Sequence, residues 1–146
     1  MSAPRGRILA LDVGEKRIGV ALSDESHTVA SAYATLHATP FAVFVQKLTK
    51  IMTLEYVDEI VVGLPLSLNG NEGPQAARIR GFITALTPLV TQPITTFDER
   101  YTSAEADRIM MEAGLRPEQR KAKIDEVAAS IILQDVLNAR RIQRTV

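Results

Sequence analysis

The chain has 146 residues with 17 basic and 17 acidic side chains, so its formal net charge is +0, and it contains no cysteine. The absence of cysteine excludes disulfides, thiolate metal sites and cysteine nucleophiles. The first apolar run, Ile8 to Leu11, is too short for a signal peptide or a membrane span, so we expect one cytoplasmic domain over residues 1–146 with no membrane contact.

The first third of the chain predicts three strands in a meander and then a helix. Apolar runs at 7–13 and 18–23 flank a polar turn, which is typical of a β-hairpin, and a third strand covers 28–36. Thr39 and Pro40 predict the start of a helix with Thr39 as its cap, because a proline in the first helical turn loses no hydrogen bond.

The remaining chain alternates strands and helices. The predicted elements are a strand at 57–63, a loop at 64–73, a helix from Pro74, a strand at 93–97, a helix from Thr102 to Gly114, and a final helix from Asp125 to about Arg144. The spacing of Thr102 and Glu105 is that of a capping box, and a glycine commonly ends a helix. This order indicates a mixed α/β sheet with helices on its faces.

Four carboxylates, Asp12, Asp98, Glu99 and Asp125, stand at positions typical of a functional site. Asp12 ends an apolar strand, where a carboxylate is costly unless it is hydrogen-bonded or binds a cation. Asp98 and Glu99 follow the fifth strand, at the kind of strand end where α/β proteins place their sites. Asp125 shares its helix face with apolar residues. The structural alternatives are a turn aspartate, an acidic loop and a helix cap, respectively.

Carboxylates from the first strand, a later strand and a packed helix can converge on one point. Oxygen ligands of this kind suit Mg²⁺ or Mn²⁺ rather than zinc. Two such ions about 4 Å apart would activate water and stabilise the leaving oxygen in phosphodiester hydrolysis.

Basic side chains lie near these acids in the sequence. Residues 1–115 carry 10 basic and 13 acidic side chains, whereas residues 116–146 carry 7 and 4, so the neutral total conceals a basic carboxyl-terminal end. Each basic residue alone is typical of a solvated surface, but together they could contact a phosphate backbone. The candidates are Lys16, Arg17, Arg100, Arg116, Arg120, Lys121 and Lys123.

Four groups of motifs occur in order along nearly the whole chain. They are Ile8-Leu-Ala-Leu-Asp-Val-Gly14 with Arg17-Ile-Gly19, Val62-Gly-Leu-Pro65 with Asn69-Gly70 and Glu72-Gly73, Asp98-Glu-Arg100 with Thr102, and Lys123-Ile-Asp125 with Ala128-Ala129. This ordered series resembles the YqgF/RuvX family, and it is far more specific than any single motif.

The resemblance implies an RNase H-like α/β fold, a five-stranded mixed sheet with helices on both faces, and a nuclease that uses two Mg²⁺ or Mn²⁺ ions. Position by position, the acidic site falls on Asp12, Glu99 and Asp125, with Asp98 as an additional acid. RuvC-like relatives carry the middle carboxylate after the fourth strand, where this chain has Gly63-Leu-Pro65, so Glu99 would take that role. With strand order 3-2-1-4-5 the fifth strand lies about 10 Å from the first, and Glu99 would have to lean back across the sheet.

Members of the resembled family are described as nucleases that mature the 5′ end of pre-16S rRNA or as Holliday junction resolvases. The first hypothesis is therefore an endonuclease, rather than an exonuclease, acting on pre-rRNA. The second is a resolvase acting on branched DNA, which would need a symmetric homodimer to cut paired strands; single-stranded DNA is a further candidate substrate. A non-catalytic nucleic-acid binder is a more distant alternative. A phosphotransferase of the actin and sugar-kinase fold would need a second lobe, for which the chain is too short.

Neutral net charge does not exclude a nucleic-acid partner under the first hypothesis. Two bound divalent ions would bring the formal charge from +0 to +4. We therefore expect nucleic acid to bind more tightly when metal is present.

Overall fold

The computed structural model describes residues 6–66, 72–99 and 102–145. The strands are β1 (Arg7–Val13), β2 (Arg17–Ser23), β3 (Ala30–His37), β4 (Val57–Pro65) and β5 (Ile94–Glu99). The helices are α1 (Phe41–Leu54), α2 (Pro74–Leu86), α3 (Thr102–Glu112) and α4 (Pro117–Thr145), with a 3₁₀ turn at Thr87–Leu89. Across these described ranges, no helix is both long enough and apolar enough to cross a membrane.

The five strands form one mixed sheet, and their order is β3-β2-β1-β4-β5, the order on which the distance between the fifth and the first strand was based. β2 is antiparallel to both of its neighbours, whereas β1, β4 and β5 run parallel to one another. Because parallel strands end at the same edge, the carboxyl ends of β1, β4 and β5 lie together.

Helices cover both faces of the sheet, which confirms that prediction. Successive residues of a strand point to opposite faces. On one face, Leu11 of β1 belongs to a core cluster that includes Phe44 of α1 and Ile79 of α2. On the other face, Ala10 of β1 packs in a cluster with Leu133 of α4. We call the second face the α4 face.

The helix predicted with Thr39 as its cap begins one residue later. Pro40 is the N-cap, with an extended ψ of 145°, and no side chain caps this helix. The Phe44 N–H donates to the Pro40 carbonyl over 3.1 Å, which makes that bond the first of the helical ladder. Helical dihedral angles therefore start at Phe41 because Pro40 itself stays extended.

The prediction that Asp125 starts the last helix is wrong. α4 begins at Pro117, eight residues earlier. Proline is favoured in the first helical position, and the Arg116 N–H donates to Gln119 Oε1 over 2.9 Å, which is one half of a capping box. Asp125 lies inside the helix, so capping does not explain this acid.

Two strands also extend further than the sequence indicates. β4 continues to Pro65, and β5 continues through Asp98 and Glu99, because Leu64 pairs with Asp98 and Pro65 pairs with Glu99. The two acids are therefore strand residues and not an acidic loop. Asn69 and Gly70, in the loop predicted after β4, lie outside the described residues.

Candidate active site

Three of the predicted acids lie on the α4 face. Asp12 is two residues beyond Ala10 on β1, and Glu99 is two residues beyond Phe97 on β5, and both Ala10 and Phe97 pack in the core cluster under α4. Since every second strand residue shares a face, Asp12 and Glu99 also point toward α4. Asp125 belongs to α4 itself.

Glu99 leans back over β4. In the strand register Glu99 pairs with Pro65. Its carboxyl group nevertheless lies over Gly63, where an ideal Cβ would be 3.0 Å from Glu99 Cδ and 3.0 Å from Glu99 Oε2. Gly63 follows Val62, the partner of Leu11, so it sits beside Asp12 in the sheet. Glu99 Oε2 is buried from solvent, under α4. The carboxylate is thus directed from β5 toward β1.

Asp125 approaches Asp12 from the opposite side. Asp12 pairs with Gly19 across β1 and β2. The main chain of α4 crosses so close to Gly19 that an ideal Cβ there would lie 1.9 Å from the Asp125 carbonyl oxygen. Arg17 Nε donates to Asp125 Oδ2 over 3.0 Å and holds the side chain at this edge.

The three acids interact electrostatically. The pKa of Asp12 rises from 3.8 to about 7, first because the carboxylate is buried and then because the negative charges of Glu99 and Asp125 lie near it. Protonation is one way to relieve such a concentration of charge, and binding a cation is the other. Asp12 is therefore the central acid of the group.

The three acids are of the right chemical type to bind a hard cation, although their carboxylates are not close enough together to coordinate a single ion. All three groups are carboxylates, the ligands that Mg²⁺ and Mn²⁺ prefer. With the side chains as placed in 6–66, 72–99 and 102–145, no three His, Cys, Asp or Glu residues lie close enough to hold one ion. Charges interact over distances several ångströms longer than one ion can span with its ligands, so Glu99 and Asp125 raise the pKa of Asp12 from beyond ligand distance.

Asp98, the additional acid, does not join the group. It precedes Glu99 on β5 and so points to the opposite face of the sheet. Its side chain is exposed, whereas that of Glu99 is half-buried. Strand alternation therefore separates two acids that are adjacent in the sequence.

The predicted basic residues fall into three groups. Arg17 contacts Asp125 directly. Arg120 is held between α3 and α4, because its Nε donates to Asp107 Oδ1 over 2.9 Å and its guanidinium donates to the Leu115 carbonyl over 3.0 Å. The exposed residues are Lys16, Arg116, Lys121 and Lys123. Arg100 lies outside the described residues.

Gly19 and Gly63 belong to the motifs noted above but were not predicted as residues of the site. They flank Asp12 on the two neighbouring strands and face α4, where one makes room for the helix backbone and the other for Glu99. A glycine inside an otherwise apolar strand often marks such a close approach. That signal was present at both positions.

The sequence matches a known family over most of its length. A sequence profile of the RuvX family, described as Holliday junction resolvase, matches residues 6–139. A protein of Roseiflexus sp. (strain RS-1), named "Putative pre-16S rRNA nuclease", is 48% identical over 141 residues, which cover 97% of this chain and 100% of that protein. A protein of the same name from Chloroflexus aurantiacus (strain J-10-fl) is 46% identical over 134 residues, and the match covers 92% of this chain and 88% of that protein.

Solved structures share the fold at low sequence identity. RuvC of T. thermophilus, in complex with a Holliday junction substrate, superposes with a TM-score of 0.54 at 12% identity, covering 94% of this chain and 96% of RuvC. The Fowlpox virus resolvase, in complex with Holliday junction DNA, gives a TM-score of 0.54 at 12% identity over 92% of this chain and 98% of the resolvase. At this identity the likeness establishes the fold, which is the expected RNase H-like fold.

Proposed function

Since the chain belongs to the RuvX family, we propose that it is a metal-dependent endonuclease that hydrolyses phosphodiester bonds in the 5′-end processing of pre-16S rRNA. The observation that carries this proposal is the position of Asp12, a half-buried carboxylate whose pKa rises to about 7, first through desolvation and then through the negative charges of Glu99 and Asp125. The substrate comes from the names of the relatives, which span nearly the same length as this chain. A pre-rRNA substrate implies a cytoplasmic location.

The acids would serve as ligands for two Mg²⁺ or Mn²⁺ ions. Asp12, Glu99 and Asp125 would supply the carboxylate oxygens that hold them. Divalent ions held there would activate the attacking water and stabilise the leaving oxygen. Arg17 would keep the Asp125 carboxylate oriented through the 3.0 Å hydrogen bond.

The exposed basic residues would position the substrate backbone. Lys121 lies one turn before Asp125 on α4, so the two side chains leave the helix in similar directions. Lys16, Arg116 and Lys123 would add phosphate contacts, which fix orientation without reading bases. We propose the same role for Arg100 and a weaker one for Arg120, whose guanidinium is already paired with Asp107.

The test is a cleavage panel with purified protein in Mn²⁺ and in Mg²⁺. The substrates are a precursor rRNA fragment that contains the mature 5′ end, single-stranded DNA and a four-way junction, each labelled at one end so that internal cuts are distinguished from stepwise shortening. We expect internal cleavage of the precursor rRNA. Asp12→Asn, Glu99→Gln and Asp125→Asn should each abolish it.

Asp98→Asn is the matched control for Glu99→Gln, because it neutralises the neighbouring carboxylate on the opposite face of β5. We expect it to keep most of the activity. Cleavage by Asp12→Asn at the rate of the unsubstituted protein would reject the proposal, and loss of activity in Asp98→Asn with retention in Glu99→Gln would reassign the middle acid.

A resolvase is the second candidate function, because the matching family carries that description. It requires two sites on a symmetric dimer, since a four-way junction must be cut on paired strands. Paired symmetric nicks in the junction, together with a dimeric mass by light scattering, would favour this function over rRNA processing. Metal-independent binding with no turnover on any substrate would instead favour a non-catalytic nucleic-acid binder.

A further inference from the structure

Gly63 occupies a position on β4 where a side chain would meet the candidate site. It lies beside Asp12 in the sheet and faces α4. An ideal Cβ there would be 2.7 Å from Ile132 Cδ1, 3.0 Å from Glu99 Cδ and 3.0 Å from Glu99 Oε2. Contacts below about 3.4 Å are closer than ordinary carbon packing allows. The space above Gly63 is therefore already filled by two side chains.

Strand chemistry does not by itself account for a glycine here. Its neighbours along β4, Val62 and Leu64, are buried apolar residues, and the previous residue on the α4 face is Val61. Glycine weakens a strand interior, because it gains nothing from packing and loses more conformational freedom than other residues. A close approach by another group is the usual reason for a glycine at such a position.

We propose that Gly63 is a positioning residue, whose missing side chain gives the Glu99 carboxylate the space to cross β4 and reach the side of Asp12. The inference rests on the proposed function, since it concerns how that site acquires its middle acid. It also explains how an acid on β5 can reach β1: the intervening strand, β4, has no side chain at the position that Glu99 crosses.

Alanine substitutions at Gly19 and at Gly63 should have different effects, because the added methyl group would meet different kinds of atom. At Gly19 the obstacle is the α4 backbone, which cannot move without displacing the helix. At Gly63 the obstacles are the ends of the Ile132 and Glu99 side chains, which can rotate away. Gly63→Ala should therefore keep the fold and displace the Glu99 carboxylate.

The experiment compares Gly63→Ala with Gly81→Ala, because a Cβ at Gly81 on α2 meets nothing within 4 Å. Mn²⁺ affinity is measured by titration calorimetry. Cleavage is measured on the best substrate of the panel, and folding is followed by thermal unfolding in EDTA. We expect Gly63→Ala to bind Mn²⁺ about tenfold more weakly and to lose cleavage, with cooperative unfolding retained. Gly81→Ala should match the unsubstituted protein in Mn²⁺ affinity and in cleavage.

Two double variants separate positioning of Glu99 from a change in core packing. Adding Gly63→Ala to Glu99→Ala should weaken Mn²⁺ binding no further, because the carboxylate that it displaces is already gone. Adding Ile132→Val to Gly63→Ala removes the methyl group of the tightest contact, and it should not restore Mn²⁺ binding if the displaced acid is the cause.

Restoration by Ile132→Val, or normal Mn²⁺ affinity in Gly63→Ala, would overturn this inference and leave the proposed function intact. If the unsubstituted protein bound no Mn²⁺ and cleaved no substrate, both this inference and the proposed function would be overturned.

Discussion

Arg17 Nε donates to Asp125 Oδ2 over 3.0 Å, which joins the first residue of β2 to α4 across 108 positions of sequence. The pair closes the candidate site on the side opposite Glu99. It also places a guanidinium group beside one of the three acids. Asp12 has no ion pair among the described residues, and its charge is the one that burial and its neighbours disfavour.

A double-mutant cycle on Arg17→Met and Asp125→Asn should give a coupling free energy of about 0.5–1 kcal/mol in favour of the pair. The side chains are 46% and 20% exposed, so solvent screens the attraction only in part. The measurement is urea unfolding in EDTA. A cycle on the more exposed pair Arg108 and Glu112 is the control, and a coupling at Arg17 no larger than at that pair would contradict the prediction.

The metal-free protein should lose stability as the pH rises from about 4 to about 7. The pKa of Asp12 is raised from 3.8 to about 7 by folding, so within this window the native state holds a proton that the unfolded chain releases. The unfolding free energy should fall by about 4 kcal/mol over this range, and in Asp12→Asn this decrease should be absent. The test is to measure the unfolding free energy of the unsubstituted protein and of Asp12→Asn in EDTA across this pH range. The same pH dependence in both proteins would contradict the prediction.

Mn²⁺ should reverse that trend. A protonated Asp12 cannot serve as a ligand, so apparent Mn²⁺ affinity should rise by up to about tenfold per pH unit below pH 7 and then level off. Calorimetric titrations at several pH values would measure this, with proton release read from buffers of different ionisation enthalpy. Affinity that is flat from pH 5 to pH 8 would show that Asp12 is not a ligand.

Nucleic-acid affinity should depend on metal. The formal net charge is +0 without metal, and ions bound at the three acids would remove the local repulsion of phosphate. Fluorescence anisotropy with an uncleaved substrate should therefore give tighter binding in Ca²⁺ than in EDTA, with a difference that shrinks as salt is raised. Asp12→Asn should reduce the difference, and equal affinities in Ca²⁺ and EDTA would contradict the expectation.

Gly19→Ala should destabilise the fold severely. The added methyl group would lie 1.9 Å from the Asp125 carbonyl oxygen, so α4 would have to move off the sheet. We expect a loss of about 3 kcal/mol or more in the free energy of unfolding, at the upper end for overpacked cores. Gly81→Ala, which adds a methyl group in open space, should slightly stabilise the protein. Comparable unfolding midpoints for the two variants would show that α4 can yield at this point.

Sequence periodicity determined the framework of this protein. The apolar runs of β1, β2 and β4 are long enough and regular enough to predict the strands, and their order predicted the mixed sheet. The acids Asp12, Glu99 and Asp125 were also recognisable, because Asp12 ends an apolar strand, Glu99 follows the fifth predicted strand, and Asp125 shares its helix face with apolar residues. These are local properties, which a residue and its near neighbours express without reference to the rest of the chain.

Tertiary structure decided which acids meet. Asp98 and Glu99 are adjacent acids, and the family resemblance favoured Glu99 without giving a physical reason; the pairing of β5 with β4 is what sends Glu99 to the α4 face. The start of α4 at Pro117 moved Asp125 from the predicted first turn of the helix to its interior, which removes the alternative that it is a cap. The reach of Glu99 to the side of Asp12 depends on the absence of a side chain at Gly63, and the space so left is shaped by packing among β4, β5 and α4. Such spaces depend on contacts between residues far apart in the chain, so a glycine in a strand can mark the position but cannot identify the group that approaches it.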